Sequence, residues 1–130
     1  MTTTKRILLT LLLLLSPVLG WGSLTPETFL QLEVEVRELT LAGMERRIEL
    51  LANQATRVED TSLDNRTRRT IDAVYAEYGT SAGEHAAYGR QNSQAIEAWL
   101  DDNPSWKFRL LYLDNQFETL SERMQAIRGE

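Results

Sequence analysis

The sequence predicts an all-α protein, an antiparallel helical bundle or elongated helical hairpin of about four helices with long first and last members. Three observations predict it. Every extended apolar periodicity has helical spacing, Pro26, Gly79, Pro104 and Gly129 fall at the ends of the periodic segments, and no stretch alternates long enough to make a useful strand. Short connections between such segments favour antiparallel neighbours.

The first helix begins at Thr25-Pro26, an N-cap residue followed by proline at the first helical position. No glycine or proline interrupts it until Gly43, and its pattern resumes to about Thr56–Glu59. A helix of roughly 30 residues spans about 45–50 Å. One apolar stripe holds Phe29, Leu32, Val36, Leu39, Gly43 and Leu50. A second holds Leu30, Val34, Leu41, Met44, Ile48, Leu51 and Ala55, so the helix can face two neighbours. Asp60-Thr61-Ser62 reads as a connection, and a second helix is expected from Leu63 to Tyr78, ended by Gly79. Ser81 with Glu84 has the spacing of a capping box and opens a third helix to about Asp102. Its inner face would carry His85, Tyr88, Asn92, Ala95, Ile96 and Trp99. Asn103-Pro104 repeats the cap-and-proline signal before a last helix that runs to Arg128 and stops at Gly129. That helix has the most regular seam: Trp106, Leu110, Leu113, Phe117, Leu120, Met124 and Ile127.

Ahead of these helices, Lys5 and Arg6 precede the apolar run Ile7–Leu15, followed by Ser16-Pro17-Val18-Leu19-Gly20. A basic start, a short apolar core and small residues at the exit read as a secretory signal peptide over residues 1–20, with cleavage near residues 20–22. The run is about half the ~20 residues of a membrane-spanning helix, so no stable anchor is expected after cleavage. The chain has no cysteine, which excludes lipid attachment at a cysteine and disulfide stapling. Residues 21–130 are then expected to form a single all-helical domain held by packing or association. Lysine is nearly absent beyond the leader while arginine is plentiful, a composition expected of a GC-rich bacterial source, in which the destination is the periplasm.

The formal charge of −5 becomes −7 once Lys5 and Arg6 are removed, and an acidic chain lacks the basic footprint of nucleic-acid binding. His85 is the only histidine, with Tyr88 and Gly89 rather than further ligands at the i+3 and i+4 positions, so no metal site is expected. His85 reads as a boundary residue packing with Tyr88, and Asn92 interrupts the same stripe. The serines fall mostly at caps and turns, the acidic pairs at helix ends, and no glycine-rich phosphate loop is present. Catalytic, cofactor-binding and metal residues are therefore expected to be none, and the protein not to be an enzyme.

Two surfaces remain as candidates for contact with a protein partner. Arg66, Arg68 and Arg69 form the one basic cluster, in what would be the first turns of the second helix, where the helix dipole disfavours cations. Phe108, Leu111 and Tyr112 lie roughly opposite the seam of the last helix, which makes its N-terminal half apolar all round. Such a patch is either covered by the third helix or its loop, or left as a partner or self-association site. Leu24-Thr25-Pro26-Glu27 resembles the start of the LTxxQ motif of small helical periplasmic chaperones of the envelope stress response. Thr28 stands in place of the glutamine, and there is no second copy. The functional expectation is a non-enzymatic periplasmic protein acting by protein–protein contact, as an accessory subunit or a homodimer. The alternative is a chaperone-like, client-binding protein, which requires a concave apolar cradle with arginines around its rim.

Overall fold

The computed structural model describes residues 24–54 and 56–129, so the expected leader lies outside the described residues. Among those described the protein is all-helical, with five helices where about four were expected. They are α1 (Pro26–Ala52), α2 (Arg57–Glu77), α3 (Ala82–Gln91), α4 (Ser93–Asp102) and α5 (Pro104–Arg128). No helix among the described residues is long and apolar enough to cross a membrane.

Helix α1 starts as its sequence dictates: the Thr25 hydroxyl accepts from the Thr28 amide at 3.1 Å, and Pro26 follows. It ends earlier than its apolar pattern suggests. Asn53 caps it with φ −91°, and Gln54 takes the left-handed conformation (φ 58°). The chain then re-enters a helix at once. Thr56 and Glu59 form a reciprocal capping box, with the Thr56 hydroxyl on the Glu59 amide (3.2 Å) and the Glu59 carboxylate on the Thr56 amide (2.8 Å). Asp60-Thr61-Ser62 is therefore helical, and α2 is longer than expected. At its other end Gly79 (φ 69°) closes a Schellman turn, the Gly79 amide donating to Ala76 and the Thr80 amide to Tyr75.

The expected third helix is two. Asn92 takes φ −122° and ψ 25° and turns its Nδ2 back onto the Tyr88 carbonyl at 3.0 Å, which ends α3 and re-aims α4. Asn103 repeats the device with the Trp99 carbonyl at 2.8 Å, so its side chain closes α4 instead of capping α5.

Helix α1 packs against both other long helices. Val34, Leu41 and Ile48, spaced one heptad apart, form the main core with Leu113, Leu120 and Met124 of α5. The other side of α1 meets α2, where Gly43 lies against Thr67 and Leu39 borders a crevice with Leu63. α2 is antiparallel to α1, since Tyr78 reaches Glu35 while Asp60 reaches Arg47. α5 runs parallel to α1 instead of antiparallel: Arg109 bonds Glu38, Arg37 bonds Asp114, and Arg128 borders a crevice with Leu51. The two short helices cause this. α3 and α4 carry the chain across the end of the molecule where α1 begins, so α5 sets out from that same end.

That end is closed by aromatic packing. His85 is 4% exposed and stacks on Phe29, with ring centroids 4.2 Å apart. It is fully buried, not a boundary residue, and its nearest aromatic neighbours are Phe29 and Tyr75. Its Nε2 lies 3.1 Å from the Phe29 carbonyl, an oxygen that can only accept, so Nε2 carries the proton. Trp99 and Trp106 meet edge to face at 5.7 Å and tie α4 to the first turn of α5.

Candidate functional site

The outer face of α5 is set by helix geometry. At about 100° per residue, Phe108, Leu111 and Tyr112 cluster on the side of α5 away from the seam that packs on α1. All three stand out from the protein, Phe108 72%, Tyr112 61% and Leu111 55% exposed. Neither α3, α4 nor their connections fold over them. Their backbone is held firmly: Trp106 is locked by Trp99, the Arg109 guanidinium lies over the Trp106 ring and bonds Glu38, and Asp114 pairs with Arg37. The patch is an exposed apolar surface on a helix tied to α1 and α4 by these contacts.

Arg66, Arg68 and Arg69 are also exposed. Because α2 begins at Arg57, they lie about three turns into the helix, beyond the first-turn reach of the dipole, and the expected electrostatic cost does not arise. Arg68 pairs with Asp64 at 3.2 Å. The six expected interface residues do not form one surface. Arg66 borders a crevice of about 120 Å³ with Arg46 and Leu39, whereas Arg68 borders a different cleft, shared with α5.

That second cleft was not expected as a unit. α2 and α5 flank α1 with little contact between them, which opens a channel of about 350 Å³ over α1. Thr40, Gly43 and Met44 contribute from α1, Thr67 and Ile71 from α2, and Phe117 and Met124 from α5. A separate recess of about 240 Å³, beside Arg37 and Leu113, shares Thr40 and Phe117 with it. Phe117 is a seam residue by spacing yet is 50% exposed, because it lines the cleft that α2 leaves open. Arg47 and Arg68 border the channel, and Arg37 borders the recess. The partial exposure of Phe117 could not be read from a regular seam, since the seam records spacing and not whether a third helix closes over it.

Arg47 also anchors the far end of the molecule. Its guanidinium donates to both Asp60 oxygens (2.7 and 3.1 Å) and approaches Asp64 at 3.4 Å, while Arg128 of α5 stands 3.8 Å from Asp60. The Arg47 hydrogen bond holds the Asp60 carboxyl below the usual carboxylate range, against the opposing effect of burial. Near the other end, the Tyr78 hydroxyl donates to Glu35 at 3.1 Å, and burial followed by that carboxylate raises its pKa. Burial likewise raises Tyr75, with Glu33 and Asp72 adding to it. These groups are satisfied by one another, and among the described residues no buried side-chain nitrogen or oxygen lacks a hydrogen-bond partner. No three metal-ligating side chains gather among the described residues. Comparison of the chain with protein-family models, with curated proteins and with solved structures gives no match.

Proposed function

We propose that this is a non-enzymatic protein of the bacterial periplasm that acts through protein–protein contact, with the outer face of α5 as its contact surface. One observation carries the reading. Phe108, Leu111 and Tyr112 stand exposed together on a helix whose opposite face is committed to the core. The basic start and short apolar run at Lys5–Leu15 support export, and the absence of cysteine fits a domain held by helix packing alone. Affinity capture from the native cell envelope tests the surface. A Phe108→Glu, Tyr112→Glu variant keeps its helical circular dichroism and loses the partner that the unaltered protein retains. An unchanged set of partners refutes the role of this face, and recovery of the protein from the cytoplasmic fraction refutes the location.

A second reading, a helical bundle that holds unfolded clients, is favoured by the depression between α2 and α5. It is concave, its walls include Ile71, Phe117 and Met124, and Arg47 and Arg68 border it. This reading expects suppression of aggregation of an unfolded client, reduced by Phe117→Glu. Client aggregation at the same rate with and without the protein refutes it.

A further inference from the structure

Resting on the contact role proposed for the outer face of α5, we infer that its partner is a second copy of this chain, bound as an antiparallel pair of α5 helices about a two-fold axis beside Leu111. A two-fold interface must be complementary to itself, and this face is. Lys107 and Asp114 are seven residues apart, which brings them within about 20° of each other on one edge of the apolar triad. Their midpoint falls between Leu110 and Leu111, at the centre of Phe108, Leu111 and Tyr112. Rotation about an axis through that point places Lys107 opposite Asp114 of the second copy, and the reciprocal pair forms with it. The same rotation sets Leu111 beside its own copy and Phe108 against Tyr112. One operation therefore satisfies the apolar and the charged parts of the surface together.

The charged groups are available for this. The side chains of Lys107 and Asp114 are 58% and 63% exposed. Asp114 offers Arg37 only Oδ1, leaving Oδ2 for a second cation, and Lys107 makes one solvent-exposed contact of 3.4 Å with Asp101. A parallel arrangement is disfavoured by the same residues. It would bring the Lys107 edge of one helix against the Arg109 edge of the other, setting like charges side by side. A single pair of helices buries less than the ~1,200 Å² typical of stable complexes, so the association is weak and depends on concentration.

Sedimentation equilibrium of the full chain between about 1 and 500 µM tests the inference. The mass is expected to rise from one copy to two across this range, and to stay at one copy in the Phe108→Glu, Tyr112→Glu variant with its helical signal intact. Lys107→Asp or Asp114→Lys alone weakens association by about tenfold, because two reciprocal attractions become repulsions. The two substitutions combined restore it. A single-copy mass at every concentration, or a combined variant as weak as either alone, overturns the inference. A photo-crosslinking residue at position 112 in living cells separates it from the broader reading. An adduct of two copies supports both, an adduct with a different protein overturns the second copy while retaining the contact role, and no adduct overturns both.

Discussion

Gly43 sits where two opposing effects can be weighed against each other. It lies inside α1, buried against α2, and an ideal Cβ at this position would stand 2.7 Å from both Thr67 Cγ2 and Thr67 Oγ1, and 3.3 Å from Thr67 Cβ. Gly43→Ala should gain about 1 kcal/mol from helix propensity alone. The clash opposes that gain. Thr67 is branched at Cβ, so no long flexible chain can swing aside, and its hydroxyl is held by the Leu63 carbonyl at 3.1 Å. Relief requires α1 and α2 to separate by several tenths of an ångström, and overpacking of this kind costs about 1–3 kcal/mol. The expected net effect is a loss of about 1 kcal/mol, or about 4–8 °C in Tm for a domain of this size. Thr67→Ala removes both 2.7 Å contacts. In that background the same Gly43→Ala change should stabilise, giving a coupling of about 1–2 kcal/mol between the two positions. Urea denaturation of the four proteins followed by circular dichroism measures the cycle. A rise in stability from Gly43→Ala alone would show that the helices do not approach closely at Gly43, and would refute the reasoning.

Asp60 gives a pH dependence of definite sign. Its carboxyl titrates lower in the folded protein than in the unfolded chain because Arg47 bonds it, so the unfolded chain takes up this proton first as pH falls. The stabilisation is complete above about pH 5 and is lost as pH falls through the folded value, so Asp60→Asn should flatten the urea midpoint between about pH 5 and 3. A variant profile parallel to that of the unaltered protein would contradict this. Thr56→Ala breaks the capping box and should cost about 1 kcal/mol, read as a lower urea midpoint; no change would mean that α2 does not depend on this cap. Leu32→Ala at a fully buried position should cost about 2–5 kcal/mol, whereas Leu111→Ala, at 55% exposure, should stay within about 0.5 kcal/mol by the same measurement.

Helix starts were legible in the sequence where a cap coincides with a change in apolar pattern. Thr25-Pro26 and Ser81 open helices in the structure as expected, although the Ser81 box is only half formed: Ser81 accepts from the Glu84 amide, while the Glu84 carboxylate accepts from the Thr80 hydroxyl. Thr56 was equally informative, with Glu59 at the capping-box spacing, but Leu50, Leu51 and Ala55 continue the apolar pattern through the turn and conceal it. Periodicity reports which face is greasy; it does not report that the axis has reversed. Asn92 failed for a related reason. An asparagine on an apolar stripe suits either a buried polar position or a break, and only its bond to the Tyr88 carbonyl distinguishes them. The parallel course of α5 followed from that break, because one straight third helix and two short angled ones deliver the chain to different places. At the candidate surface, the apolar character of the outer face of α5 was readable from a helix apolar on opposite sides, but whether the following or preceding segments cover it was not. The cleft was not readable either, since it depends on the spacing between α2 and α5, which pack on either side of α1 and approach each other at Asp60 and Arg128.

The exposed triad also bears on what this protein gains from α5. An apolar side chain that is open to water in both the folded and unfolded states contributes almost nothing to folding, since burial is the source of the stabilisation. Phe108, Leu111 and Tyr112 at 55–72% exposure therefore do little for the stability of the fold. The helix they stand on has its own attachments, through Trp106, Leu113, Leu120 and Met124 on the apolar side and through Arg109 to Glu38 on the polar side. Polar residues at 108, 111 and 112 would leave all of those contacts in place and make the surface more soluble. The fold therefore does not require these three residues. Stability accounts for the inner face of α5 and leaves its outer face unexplained, which is why the proposed contact role is tested there.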